Sequence, residues 1–370
     1  MKTSTPRTPL ISVLMCVYNA EKHVNDTIVS ILNQTYINFE YIIINDCSTD
    51  STLSLIKKMS DSDSRIRLIN NPMNVGLTKS LNFGIYEAKG KYIARMDADD
   101  IAVSVRFEEQ VKFLELNHDI TICGSWYKRF GDENRKCRLF YKDSDIKSRF
   151  LWETCIAHPS VMVRRDFLIK NNFYYDESFK TSQDFELWER IFSSSDAKFA
   201  NIRKFLLLYR VHNESITKSK SKISLDNRNR IRQRQLEKLF QDNYKTEYLD
   251  LTELTFLGNI FTFEDILQCL KFLVLVRNVN LRVKQYPVQE FNRRVEEKIF
   301  KLLIISIKLI FNSKSTYQEN LINFFSVLKN IYNEIIKELK SKKGIIKKNI
   351  FLVNLLGHSF NIIFRKLYLH

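Results

Sequence analysis

Short apolar runs alternate with amphipathic stretches of helical period through the first half of the chain, and each run ends on polar residues. Residues 11–17 are almost wholly apolar, as a strand buried on both faces must be. Tyr18 and Asn19 follow, then a helix over about 21–33 with an inward stripe of Val24, Ile28, Ile31 and Leu32. A second buried run, 39–44, ends on Asn45 and Asp46. Ser48, Thr49 and Asp50 offer N-caps for a helix striped by Leu53, Ile56 and Met59. Residues 65–69 form a third strand and 76–88 a helix on Leu77, Leu81 and Ile85. The fourth strand, Tyr92-Ile93-Ala94, runs into Asp97, Asp99 and Asp100. This alternation with short connections predicts an α/β fold, a parallel sheet covered by helices on both faces. Ligands of such sheets gather at the carboxyl ends of strands, where Asp46 and residues 97–100 stand.

Further along, the pattern predicts a helix over 105–116, a strand at 120–123, a less regular stretch to 155 and a strand at 158–163. A helix opens at Ser182 on the stripe Phe185, Trp188, Ile191 and Phe192, and a strand-like segment covers 206–212. The polar, Lys/Ser-rich stretch 213–224 reads as a linker, placing one domain at 1–217 and a helical, basic region at 218–370.

Three carboxylates within four residues repel one another unless a positive charge sits among them. Asp97 and Asp99 can both turn toward one hard cation, to which a diphosphate adds oxygens. The competing role for Asp99 or Asp100 is to cap the helix after them. With 370 residues the chain has room for one large domain or two ordinary ones, and 8 Gly and 5 Pro argue against a loop-rich protein. The six cysteines include no Cys-x-x-Cys pair, which fits reduced cytoplasmic thiols better than a thiolate metal site or a disulfide framework. The N-terminus lacks the apolar core of a signal peptide, and the strongest apolar run, 302–307, is stopped by Lys301 and Lys308. The protein is therefore expected on the cytoplasmic side.

The segments Ser12 to Asn19, Ile43 to Asp50, Asn74 to Asn82 and Gly90 to Asp100 stand in one order with three later ones. Those are His158 to Met162, Gln183 to Trp188 and Tyr209 to His212. Together they resemble the family 2 glycosyltransferases of the GT-A fold over residues 10–217. Two positions depart from the family: Cys16 where it usually has proline, and Cys47 where it usually has glycine. The resemblance implies inverting transfer of a hexose or N-acetylhexosamine from a UDP-sugar donor. It places Asp46 on the uracil ring, Tyr18 and Asn19 along base and ribose, and Lys79, with Gly76 and Asn82, near the nucleotide. It makes Asp99 the main ligand of a Mn2+ or Mg2+ ion, with Asp97 meeting ribose or metal and His212 adding an imidazole. Asp184 becomes the catalytic base, with Glu186 as its competitor. Structural roles compete at each position: a turn bond for Asp46, a helix-dipole preference for Asp184, a surface histidine at 212 and a hydrogen-bonded structural one at 158. Two rival activities remain. A nucleotidylyltransferase would want a Gly-rich basic loop where residues 18–24 stand, and a non-catalytic sugar-nucleotide-binding subunit would not need Asp97, Asp99 and Asp184.

The net charge of +16 is uneven: residues 218–370 hold 28 Lys/Arg against 14 Asp/Glu, leaving only +2 for the rest. Arg228, Arg230, Arg232 and Arg234 alternate, and Lys342, Lys343, Lys347 and Lys348 precede an apolar stretch at 350–356. Such a pattern suits helices lying on a membrane surface, each basic residue contributing ~1 kcal/mol near anionic lipid. The enzyme would then sit peripherally on the inner face of the cell membrane, beside a lipid-linked saccharide acceptor of O-antigen or capsule assembly. The alternative is a bundle that packs on the catalytic domain. Nucleic acid is not expected, since no recognised module accompanies the charge.

Overall fold

The computed structural model describes residues 10–212, 221–257 and 262–312. The first half holds β1 (Ile11–Val17), α1 (Val24–Leu32), β2 (Phe39–Asn45), α2 (Thr52–Ser62), β3 (Ile66–Asn70), α3 (Leu77–Glu87) and β4 (Tyr92–Met96). It continues with β5 (Ile101–Ala102), α4 (Arg106–Leu116), β6 (Ile120–Gly131), β7 (Arg135–Cys137) and α5 (Asp143–Lys147). A 3-10 turn at His158–Ser160 leads into β8 (Met162–Arg164), α6 (Arg165–Lys170), α7 (Gln183–Ser194) and β9 (Lys198–Val211). The helices α8 (Ser221–Phe240), α9 (Glu247–Leu257), α10 (Phe263–Val283) and α11 (Val288–Asn312) come after them.

All the strands join one sheet in the order β3-β2-β1-β4-β8-β6-β9-β5, with β7 paired to β6. β1 is buried along its whole length and runs parallel to β2 and β4, as β2 does to β3. At β4 the direction changes: β8 is antiparallel to both β4 and β6, while β9 runs parallel to β6. The carboxyl ends of β1, β2 and β4 therefore open on one edge, over a core of Val13, Met15, Ile28, Tyr41, Ile43 and Phe107. Gly84 lets α3 lie close on this sheet, because a Cβ there would meet Leu14 Cδ1 at 2.1 Å.

The first four strands and three helices stand where their apolar periodicity predicts. β6 and β9 are longer than expected, because Lys128 and Arg129 interrupt the apolar run without leaving the ladder, and Arg203 and Lys204 bulge out between the paired Ile202 and Phe205. The segment after Ala157 starts as a turn rather than a strand, since Pro159 has no N–H for a ladder.

Among the described residues, those up to 253 together with 280–294 make one compact unit, and those of 254–279 together with 295–312 another. α8 belongs to the first, although it begins inside the expected linker. Arg232 on α8 is fully buried and donates to the Trp152 carbonyl (3.0 Å), Gln235 donates to the Phe150 carbonyl (3.0 Å), and Asn227 to that of Thr181 (3.0 Å). Arg232 is thus an internal anchor, whereas Arg230 and Arg234 on the same helix are exposed. The lysines at 342–348 and the apolar stretch 350–356 lie outside the described residues. In the second unit Leu270, Leu273, Ile299 and Leu302 are buried, and Lys298 donates to the Thr255 carbonyl (2.8 Å). Among the described residues no helix is long and apolar enough to cross a membrane.

Candidate active site

The end of β1 is tied to the loop after β2 by neutral groups. Asn19 stands in the left-handed region (φ 48°), its N–H donates to Ser48 Oγ (3.0 Å), and its Oδ1 accepts from the Thr49 N–H (2.9 Å). Its side chain is thus a strap between loops, while Tyr18 beside it is 50% exposed and open to a ligand. Asp46 is buried, at 4% exposure, and both its oxygens are engaged. Oδ1 accepts from the Val75 N–H (2.9 Å) and Asn71 Nδ2 (2.8 Å), and Oδ2 from the Gly76 N–H (2.8 Å). A carboxylate against the amides that open α3 is favoured by the helix dipole, and Gly76 supplies the positive φ (89°) that aims its N–H there. Asp46 therefore builds the wall of the site. Cys47 also adopts a left-handed backbone (φ 59°), a conformation that glycine would take without the cost of a side chain. Lys79 is exposed on the first turn of α3. Asn82 exchanges two hydrogen bonds with the Tyr175 backbone (2.9 and 2.8 Å), so its place is between α3 and the 175–179 segment.

The loop after β4 is held by charge. Arg95, only 3% exposed in mid-strand, is ion-paired with Asp97. Burial raises the Asp97 pKa, Arg95 opposes the rise, and Asp99 adds to it. Asp100 is buried, with Oδ1 accepting from the Arg210 N–H (2.8 Å). Burial, then the charges of Asp97 and Asp99, push its pKa well above the usual carboxylate range. Thr27 Oγ1 donates to the carbonyls of Ala98 (3.0 Å) and Asp100 (2.8 Å), and Arg210 Nε to that of Asp99 (2.8 Å). The loop so fixed presents the Asp99 carboxylate to His212, whose Nε2 lies 3.0 Å from Oδ2. The His23 ring stands 5.6 Å from that of His212, and burial followed by Arg210 lowers its pKa.

Of the three expected metal ligands, then, Asp99 and His212 meet while Asp97 is taken up by Arg95. Among the described residues no group of three or more His, Cys, Asp or Glu is arranged to hold a metal. One carboxylate and one imidazole still fit Mg2+ or Mn2+ that shares its sphere with phosphate oxygens and water, as such ions do in nucleotide sites.

α7 begins at Ser182, another left-handed residue (φ 58°), and brings Asp184 into its first turn. Burial raises the Asp184 pKa, against its own and the Phe185 amide and the Arg95 charge, while Asp97 adds to the rise. Glu186 is 1% exposed and neutralised by Arg190 (2.8 Å) and Arg234 (3.2 Å). Of the two rivals for the base, Asp184 is the one with no cation paired to it among the described residues. His158 is buried with Nε2 2.7 Å from Tyr175 Oη, and burial, then Arg95, lowers its pKa well below the usual value, so it sits as a neutral structural imidazole. Arg95 thus acts electrostatically on Asp97, Asp184, Tyr175 and His158 together. Sequence reasoning misses it. Its signal is an arginine inside the apolar run that precedes Asp97, where an unpaired charge is not tolerated.

Residues 12–172 match the family described as Glycosyl transferase family 2. A glycosyltransferase of Haemophilus influenzae is 36% identical over 217 residues, covering 55% of this chain and 66% of that one, just under two thirds of its length. The Escherichia coli O-antigen biosynthesis glycosyltransferase WbnJ is 32% identical over 217 residues, covering 57% of this chain and 83% of that one. WfaP of Escherichia coli is described as a UDP-Glc:alpha-D-GlcNAc-diphosphoundecaprenol beta-1,3-glucosyltransferase. It is 32% identical over 216 residues, covering 58% and 82% of the two chains. Among solved structures, S. aureus TarS 1–349 in complex with UDP-GlcNAc superimposes with a TM-score of 0.54 at 17% identity, covering 79% of this chain and 91% of that one, a likeness of fold.

Proposed function

The chain belongs to glycosyltransferase family 2 and has the GT-A fold, and from that premise we propose that it moves a hexose or N-acetylhexosamine, with inversion, from a UDP-sugar to a saccharide on a lipid carrier. The observation that carries this reading is the placement of an unpaired carboxylate, Asp184, and the Asp99–His212 contact around one Arg95–Asp97 floor. Asp184 takes the proton of the acceptor hydroxyl as its oxygen bonds to the anomeric carbon and the bond to UDP breaks. General base assistance of this kind contributes roughly 10²–10⁴-fold. One displacement with one base inverts the anomeric centre. A Mg2+ or Mn2+ ion on Asp99 and His212 supplies, when bound, the positive charge that the departing diphosphate requires. Tyr18 offers an exposed ring to the base, and Asp46 fixes the loop beneath it.

The descriptions of WbnJ and WfaP support a setting in O-antigen assembly on a lipid diphosphate, and the reading extends to capsule assembly and to the cytoplasmic face of the membrane as part of the proposal. The complex of TarS with UDP-GlcNAc supports the donor class through the shared fold. Calorimetric titration of UDP into the full chain, with and without Mn2+, tests the donor site. Binding that needs the metal and weakens at least tenfold in Asp99→Ala is expected. A folded protein that binds no UDP under either condition sinks the reading.

A further inference from the structure

The outward face of β6 and β9 carries cations for which the active site has no use. Trp126 and Phe205 are register partners with ring centroids 5.4 Å apart. Arg138 lies over both rings, at 5.7 and 5.6 Å, and Lys128 over Phe205 at 5.7 Å. Arg203 covers Trp126 and Tyr141 at 6.0 and 4.9 Å, and Lys142 reaches over Tyr141 at 5.9 Å. Trp126 Nε1 donates to the Leu139 carbonyl (2.9 Å) and so fastens the 138–142 segment to the sheet. Arg138, Tyr141, Lys142 and Arg203 are exposed. Neighbouring cations have carboxylates: Arg129 and Arg135 share Glu133, Lys147 has Asp143, and Lys204 has Glu109. Among the described residues, Lys128, Arg138, Lys142 and Arg203 have none, so four positive charges stand together uncompensated on a sheet face.

We propose that this face docks the enzyme on the anionic headgroups of a lipid bilayer. Four unpaired cations call for a partner of opposite sign, and interleaved Lys/Arg with Trp and Tyr is the composition that the headgroup layer favours. Trp126 and Phe205 are half-buried with Arg138 over both, and Tyr141 alone of the three rings is exposed. A single-stranded nucleic acid would need open ring faces on which to stack its bases. The strands that carry the patch continue to Arg210 and His212, so docking there brings the proposed donor site beside the surface that bears a lipid-linked acceptor. Binding is read without donor or acceptor, so its failure and failure of the transfer reaction are distinguishable.

The test is co-sedimentation of the full chain with vesicles of phosphatidylglycerol and phosphatidylcholine, against phosphatidylcholine alone. It compares wild type, the patch variant Arg138→Gln/Lys142→Gln/Arg203→Gln, and a control of equal net charge, Lys57→Gln/Lys58→Gln/Lys112→Gln, at exposed helical positions. Wild type should bind only the anionic vesicles and lose binding as salt rises. At roughly fivefold per charge, the patch variant should bind about 100-fold more weakly, while the control stays near wild type. Melting curves guard against misfolding, and Lys142→Gln alone should show the single-charge loss. Absence of wild-type binding, equal losses in patch and control variants, or unchanged binding of the patch variant overturns the proposal. So does single-stranded RNA binding that the patch variant loses while its vesicle binding persists.

Discussion

The loops after β1 and β2 and the loops around β4, α7 and β9 form opposite sides of one site by opposite means. On the first side Asn19, Asp46, Ser48 and Thr49 are satisfied by backbone amides and hydroxyls, and Asp46 has both oxygens engaged. On the second side Asp97, Asp99, Asp100 and Asp184 stand among Arg95, Arg210 and His212 with fewer direct bonds. A carboxylate saturated by amides holds a wall in place. One that is only balanced by charge keeps oxygens for a proton or a cation. The difference separates scaffold from chemistry better than residue type does, since both sides are built on aspartates at element ends.

The sharpest way to break this comparison is to amidate, one at a time, the two acids of α7 that compete for the role of base. Asp184→Asn should lower the rate of sugar transfer by roughly 10²–10⁴-fold while leaving UDP affinity near wild type. Glu186→Gln should leave transfer within a few-fold and cost about 2 kcal/mol of stability, because the buried acceptor of Arg190 and Arg234 is weakened. Initial rates and denaturant melts on both variants decide it; the opposite pattern would move the base to Glu186.

Next in size is Arg95→Met, which keeps most of the volume and removes the charge. Burial already raises the Asp184 pKa above the ordinary 3.8, so the base form is lost as pH falls through that raised value and kcat/KM should fall with it. Without Arg95 the rise is less opposed, and the acidic limb of the pH–rate profile should move to higher pH. The same raised pKa means that ionised Asp184 disfavours the folded state, so its contribution to stability declines as pH climbs from 3.8 through the raised value. An acidic limb that does not move in Arg95→Met would sever the arginine from the base.

On the amide-built side the effects should appear in stability. Asp46→Ala leaves the Val75 and Gly76 N–H groups without their acceptor, a loss of about 2 kcal/mol, measurable by urea unfolding. Smallest is Cys47→Gly, which relieves a side chain held at φ 59° and should stabilise by about 1 kcal/mol. A drop in stability there would mean that the Cys47 thiol, 3.8 Å from the Pro72 carbonyl, matters more than the backbone.

Much of this is legible in the chain. Each of the first four strands is an apolar run closed by a polar residue, so periodicity and that closing residue mark both the element and the site. Asp184 stands in the first turn of α7 and Asp99 meets His212, so the geometry leaves the roles proposed for them open to test. Asn19 and Asn82 read as ligand contacts and also serve as straps, because a side-chain amide serves backbone and ligand equally well and sequence does not choose between them. The pattern cuts β6 and β9 short because the adjacent pairs Lys128-Arg129 and Arg203-Lys204 break the apolar run, the second of them at a bulge. Arg232 reads as surface charge, and its bonds to the carbonyl of Trp152 and the side chain of Asn229 help to explain its burial. Arg95 needs partners from β4, the 158–175 segment and α7, none of which a local pattern brings together.

The reversal of strand direction at β4 has a consequence for how such a protein diversifies. Everything before the seam is a parallel, amide-stitched cassette, and the later chain enters by its own antiparallel pairing through β8. On the proposed function, substitutions in the later segments would alter which acceptor approaches Asp184 while the stitching of Asn19 and Asp46 stays untouched. Lineages are then free to change what they build upon while inheriting the means of holding what they build with.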